Sequence, residues 1–521
     1  MLQSADVSGA SRTRDLAVSS AVAICCALLL LLTSPGIPIV WDEGDTIFRA
    51  ESLAADDGPW PYTTVREGHP PLSGMLVALG ERIAPNWLAP LTRYRFGPCL
   101  FFALAAGAMF YRLRRDYALW IVPIVAVGVL LGIPRLFAHA HFAALDGPLT
   151  AAWVLAWAAF APARRCCYFA PLLGLALGLT LAAKFTGWFA IAPFVTWAIL
   201  YRDRGAAIAL AIAIPVAIVV FIALNPPLWS EPLAGIRTFF ELNLGRADHR
   251  GLNITTQFFG RMYDLDHPLP FYNTLVWTLI VVSPMSLVLA GVGIVSTVRR
   301  WRTDPISMLL VLQWFTLILV RATPWAPPHD GIRLFLPSFA FLAALAGVGA
   351  GRGLYRETLY SAEKIVAQGW AKVTIGIVLT MGTVDAISYF PHGLSFYNRL
   401  IGGLRGATSL GMEPTYWWDS LDDDALKWLA QNTGPGEKIA FAAAPPKNLE
   451  LLKRWGRLVH VPTDQGTFRW YVIQRRPSAW SPVDRRLIQQ AKPAYQHTFK
   501  GVPLLDVYDY ADYERLKAEG R

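Results

Sequence analysis

Between residues 16 and 389 the chain returns repeatedly to apolar stretches close to the ~20 residues that a membrane crossing needs. Short polar knots separate them. The pattern predicts an α-helical polytopic membrane protein with about eleven spans, near 16–38, 94–111, 118–134, 147–163, 167–183, 186–201, 206–224, 271–298, 305–321, 334–350 and 371–389. Composition excludes an ordinary soluble chain of this length: 54% of the 521 residues are hydrophobic and 16% charged, against about 25% charged in globular proteins. The 20 Trp, 27 Phe and 18 Tyr suit membrane interfaces. The first stretch is longer than a signal h-region and has no small-residue cleavage site before Trp41, so it is read as a retained helix.

The segment from Cys166 to Tyr201 gives the clearest geometry. It carries one charge, Lys184, and is flanked by Arg164-Arg165 and Arg202-Asp203-Arg204. A single helix of that length would reach ~54 Å at 1.5 Å per residue, far beyond a ~30 Å hydrocarbon core. Two spans are therefore expected, with both basic ends on the cytoplasmic side and Lys184 at the opposite tip. Arg12 and Arg14, Arg112-Leu113-Arg114-Arg115, Arg299-Arg300-Trp301-Arg302 and the segment with Arg352, Arg356 and Lys364 fall on the same side by alternation. This leaves residues 39–93, 135–146, 225–270, 322–333 and everything after 390 extracytoplasmic. The net charge of +10 resides in these knots and not in a basic domain, so nucleic acid is not indicated. Cys25, Cys26, Cys99, Cys166 and Cys167 have neither a CxxC nor a zinc-like Cys/His spacing.

After Phe390 the composition turns mixed polar. Helix-like runs at 421–430 and 448–455, with strand-like runs at 438–441, 469–474 and 502–508, predict a small α/β domain over 391–521, after a membrane domain over 1–390. A stabilising or docking role suits such a domain.

The outer segments hold the unusual chemistry. Asp42 and Glu43 stand directly after the first span, where carboxylates are expensive unless used. A partly shielded carboxylate can act as a general base, although a solvated acid cluster fits the local sequence equally well. His69 precedes Pro70-Pro71-Leu72, a helix start in which a histidine can also be incidental. Asp146 is placed to cap the next span, and His139 and His141 precede it. Lys184 and Arg333 are cations at outer span ends, suited to an anion or to snorkelling. Arg333, in the segment from Pro327 through His329 and Asp330, can grip phosphate in two-pronged fashion. The long outer loop, 225–270, carries Arg246, Asp248, His249, Arg250, Tyr263 and an Asn253-Ile254-Thr255 triplet, a sugar or acceptor surface or simply a solvated loop.

Taken together, Asp42-Glu43, His69-Pro70-Pro71-Leu72, Asp146, Lys184-Phe185-Thr186-Gly187 and Arg333 resemble the GT-C membrane glycosyltransferases. The similarity is to the group of protein O-mannosyltransferases and bacterial lipid A aminoarabinose transferases. The stretch from Pro391 to Gly403 and Thr415-Tyr416-Trp417-Trp418 is similar to a segment of uncharacterised bacterial members. The resemblance implies a polyprenyl-phosphate-linked sugar donor, a lipid, glycan or protein acceptor, and inversion in one displacement at the outer face of a bacterial plasma membrane. It implies Asp42 as base, Glu43 and Asp146 as catalytic acids that position it, and Lys184 and Arg333 on the leaving phosphate. His69, His249 and Tyr263 fall to substrate binding, and no metal or other cofactor is expected. There is no room for a large lumenal insertion, which argues against a protein acceptor. A transporter or lipid flippase, and a metal-dependent oligosaccharyltransferase-like enzyme, are the other readings.

Overall fold

A computed structural model describes residues 9–55, 64–245, 254–329, 331–354, 361–463 and 466–519. Arg246, Asp248, His249, Arg250, Asn253, Asp330 and Arg356 lie outside the described residues. The chain is mostly helical, and each of the apolar stretches carries helix. Among the described residues four helices are long and apolar enough to cross a membrane: Arg12–Gly36, Pro90–Asp116, Arg204–Ala223 and Arg333–Gly353. Shorter apolar helices include Ile121–Gly132, Pro284–Arg299 and Pro305–Arg321. Leu32, Ile199, Val219 and Phe271 point large apolar side chains outward, as a lipid-facing surface requires.

The two basic ends of the Cys166–Tyr201 segment meet: Arg164 pairs with Asp203 at 2.6 Å. The chain therefore does turn back on itself, and it does so at Lys184. Helix Ala170–Ala183 stops there in extended backbone, a 3-10 turn Phe185–Ala190 follows, and helix Ile191–Tyr201 returns. Gly187 permits the turn to lie against the helix it leaves, since a Cβ there would sit 2.1 Å from the Thr180 carbonyl.

The stretch read as one span at 271–298 is two helices, Asn273–Val281 and Pro284–Arg299, because Pro284 lacks the N–H needed to continue the ladder. Asn398 repairs the break. Its Nδ2 donates to the carbonyls of Leu279 and Val282 at 2.6 Å each, and its backbone N–H to that of Ile280 at 2.8 Å. Apolar surroundings offer no water to do this. Helix Leu336–Leu354 is the most enclosed of the apolar helices, packed against Pro284–Arg299 and Ile121–Gly132, and its buried start carries Arg333. Close side-chain packing is what holds such helices together, because lipid is as apolar as leucine.

Among the described residues two sheets complete the fold. Strands β1 (Thr256–Phe258) and β2 (Arg261–Tyr263) form a hairpin in the 225–270 segment, not evident in the sequence because each is only three residues long. Near the C-terminus β3 (Lys438–Phe441), β4 (Val461–Pro462), β5 (Trp470–Gln474), β6 (Tyr495–Phe499) and β7 (Val502–Asp509) pair in the order β4-β3-β5-β7-β6. β3 runs parallel to β4 and β5, and β7 runs antiparallel to β5 and β6. Helices Asp423–Asn432 and Pro446–Arg454 pack Leu426, Leu429, Leu451 and Leu452 into one apolar cluster with Ile39, Ile47 and Ala50. The sheet region thereby sits on helix Glu43–Ala55, directly after the first apolar helix.

Candidate active site

The turn at 40–43 is fixed from three directions. Trp41 donates its backbone N–H to the Trp417 carbonyl at 3.2 Å. Asn448 accepts from the Gly44 N–H at 2.9 Å through Oδ1 and donates from Nδ2 to the Val40 carbonyl at 2.8 Å. Glycine is needed at 44, where a Cβ would lie 2.2 Å from Asn448 Oδ1. The third anchor is Glu43, fully buried, which forms a bidentate pair with Arg95 at 2.7 Å on both oxygens and accepts from the Val40 and Ala143 N–H groups at 3.0 and 2.9 Å. Four donors use the lone pairs of the carboxylate. Glu43 thereby fixes the turn that carries Asp42.

Asp42 points the other way. Its carboxylate accepts from Arg333 at 2.5 Å and retains 25% exposure. Arg333 Nε reaches Asp146 Oδ2 at 3.2 Å, and Lys184 Nζ holds Asp146 Oδ1 at 2.6 Å. Four residues separated by up to 291 positions in sequence form one chain of alternating charge, Asp42–Arg333–Asp146–Lys184. Asp146 occupies the first turn of helix Asp146–Arg165, where the helix dipole favours an anion. It does not cap that helix with its side chain, contrary to the capping alternative; both oxygens go to the two cations. Burial lowers the Lys184 pKa, with Asp146 opposing the shift.

Trp417 forms the floor, its ring 4.0 Å from the Arg333 guanidinium. Beside it, His139 Nε2 and the Tyr416 hydroxyl are hydrogen-bonded at 2.7 Å. Burial pushes the His139 and His141 imidazoles down to about 3, and pushes the Tyr416 hydroxyl up. His141 is engaged with the Phe137 carbonyl and Thr33 at 2.7 and 2.8 Å, whereas His139 lies near enough to Asp146 for their charges to interact. Arg135 is enclosed by Trp277, Tyr397 and Tyr416. The Trp41 and Trp418 rings pack at 4.0 Å with a 35° tilt, and the Arg476 guanidinium lies over Trp418.

Asp42, Asp146, Lys184 and Arg333 converge, whereas Glu43 turns to Arg95. His69 accepts at its carbonyl from Thr64, which also bonds Asn225 at 2.6 Å. Tyr263 packs on Phe258 within the β1–β2 hairpin, whose Gly260 bonds Gly411. Sequence reasoning missed Arg95, Tyr416, Trp417 and Asn448 as site-building residues. Only the Thr415–Trp418 run carried a signal, as part of the resemblance.

Chemically, Asp42 is the one carboxylate of this group with access to solvent, since Asp146 retains 1% and Glu43 none. A carboxylate so placed can accept a proton, and the adjacent guanidinium and ammonium can receive an anion. Between Asp42 and Asp146, where a metal-dependent reading puts an ion, stands the Arg333 guanidinium.

No family model and no curated protein matches the sequence. Solved structures do match the fold. ArnT from Cupriavidus metallidurans bound to undecaprenyl phosphate aligns over 94% of this chain and 97% of its own, with 14% identity and a TM-score of 0.51. Its apo state aligns over 95% and 98%, with 15% identity and a TM-score of 0.52. The archaeal oligosaccharyltransferase AglB from Archaeoglobus fulgidus, in complex with an inhibitory peptide and a dolichol-phosphate, aligns over 88% and 69%, with 11% identity and a TM-score of 0.51. The chain has the GT-C fold shared by ArnT and AglB.

Proposed function

We propose that this protein transfers a hexosyl or pentosyl group from a polyprenyl-phosphate-linked donor to a lipid, glycan or protein acceptor, with inversion and without a metal at the reacting centre. The observation that carries the reading is the Asp42–Arg333–Asp146–Lys184 chain, a solvent-accessible carboxylate beside two cations at buried helix ends. The shared fold with an ArnT that holds undecaprenyl phosphate supports the donor class.

In this reaction Asp42 takes the proton of an acceptor hydroxyl or amine as the acceptor atom bonds to the anomeric carbon. The bond from that carbon to the phosphate oxygen breaks, and polyprenyl phosphate leaves with the electron pair. Arg333 and Lys184 stabilise the charge that develops there. Because Arg333 spans Asp42 and Asp146, an arriving phosphate competes with Asp42 for its terminal nitrogen while Nε stays on Asp146. Donor binding then frees the base. His69, Tyr263 and His249 serve the substrate side. We further propose a membrane domain over 1–390 and a soluble domain over 391–521, with the site and the soluble domain on the outer face of a bacterial plasma membrane.

Two measurements test this. In a polyprenyl-phosphate-sugar assay, Arg333→Lys is expected to lower turnover clearly, because the planar fork is lost. Arg333→Ala should lower kcat by about 10²- to 10³-fold, more than apparent donor affinity, if the phosphate is gripped hardest in the transition state. Wild-type constants for both variants reject the phosphate role. For orientation, cysteines replacing the exposed Trp87 and Arg202 in a cysteine-free background separate the two faces. A membrane-impermeant thiol reagent added outside should label position 87 and spare 202. Reversed labelling overturns the assigned side.

A further inference from the structure

Three polar side chains from distant parts of the chain meet away from the Asp42 chain. His392 follows the last apolar helix, Ser361–Tyr389. Asp422 precedes helix Asp423–Asn432, and His497 lies on the edge strand β6. Their ligand atoms are nearly equidistant. His392 Nε2 and His497 Nε2 are 3.2 Å apart, and Asp422 Oδ2 lies 3.5 Å from the first and 3.3 Å from the second. All three are at most 14% exposed.

Charge-assisted hydrogen bonds run at about 2.7–2.9 Å, so the two contacts to Asp422 are long for that purpose. They match another geometry. Tetrahedral bonds of about 2.0–2.1 Å to zinc put neighbouring ligand atoms about 3.3–3.4 Å apart. Asp422 is divided accordingly, with Oδ1 accepting from the Ala425 N–H at 3.0 Å to cap its helix and Oδ2 turned to both imidazoles. A register irregularity between His497 and Thr498 accompanies the side chain that β6 aims at the cluster.

We propose that His392, Asp422 and His497 form a zinc site that clamps the sheet region to the end of the last apolar helix, with water in the fourth position. Two imidazoles and one carboxylate suit zinc better than calcium or magnesium, which take oxygen ligands. The ion ties down the Asp422 end of the segment that brings Tyr416 and Trp417 to Arg333, so its role is structural and it touches none of the reacting atoms. His392 Nδ1 is buried with no hydrogen-bond partner. A hydrogen bond to the outer nitrogen of a metal-binding histidine is worth roughly 10- to 100-fold in affinity where present, so the site should exchange its ion readily.

The test uses full-length protein in detergent, carrying no polyhistidine tag and dialysed against micromolar Zn2+. Wild type is expected to retain about one zinc per chain and to unfold at a higher temperature with zinc than after chelation. Asp422→Asn, which keeps a capping oxygen, and His497→Gln should each bind at least tenfold more weakly and lose the thermal shift. Zinc-edge absorption on wild type alone should show two imidazole ligands and low coordination number, a readout that does not depend on the variants folding. Absence of bound zinc, undiminished zinc in both variants, or an edge spectrum without imidazole overturns the proposal.

Discussion

Asp42→Asn is expected to reduce sugar transfer by roughly 10²- to 10⁴-fold while leaving the protein folded and able to bind donor. The substitution keeps the size of the side chain and an oxygen that can accept from Arg333, so the charge chain loses one link's charge but not its shape. It deletes the proton acceptor. Asp42 is the carboxylate of the group with solvent access, and neither Glu43 nor Asp146 has an oxygen in reserve to replace it. Turnover is to be compared at saturating donor and acceptor, with donor binding measured separately. Near-normal kcat in the purified variant would sink the assignment of Asp42 as base.

Arg95→Met should be the most damaging substitution for folding in this region, costing about 3–5 kcal/mol, the usual penalty for breaking a buried ion pair by removing one partner. Arg95 is fully buried and donates to both Glu43 oxygens and to the carbonyls of Ser34, Ile37 and Pro38 at 2.8–3.1 Å. One side chain thus closes the end of the first apolar helix and fixes the start of the next. Removing it strands the Glu43 charge and three carbonyls together. Adding Glu43→Gln should recover part of the loss, because a neutral amide oxygen still accepts from Val40 or Ala143. Thermal unfolding and yield of the two variants measure this. A wild-type midpoint for Arg95→Met would show that the pair is not what holds the turn.

The fold was legible where one property of the sequence decides. A 36-residue apolar run with basic ends has to reverse, and the Arg164–Asp203 pair shows that it does. The break at Pro284 was invisible because its repair comes from Asn398, more than a hundred residues away. In the sheet region, β3, β5 and all but the last residue of β7 were evident from their apolar runs. Strand β6 was not, since its Tyr-Gln-His-Thr-Phe alternates between half-buried and exposed positions. For the site, a charge at the end of an apolar run drew attention to Asp42, Asp146, Lys184 and Arg333. Arg95 sits within helix Pro90–Asp116, and nothing local marks it as the partner of Glu43, 52 positions away. The roles of Glu43 and Asp42 were inseparable in sequence. Which way each of two adjacent carboxylates points is settled by Arg95 on one side and Arg333 on the other.

The peg that Asn448 drives into the turn at Val40 and Gly44 has a consequence for the order in which the molecule is made. Gly44 and Asn448 are 404 residues apart. At synthesis rates of about 5–20 residues per second, roughly 20–80 s separate their emergence. Throughout that interval the turn carrying Asp42 lacks both its Asn448 bonds and the Lys447–Asp45 pair, however early the apolar helices assemble. The carboxylate proposed as base is therefore aimed by a segment synthesised hundreds of residues after it, and a chain interrupted before that segment would insert its earlier helices yet leave this carboxylate unset.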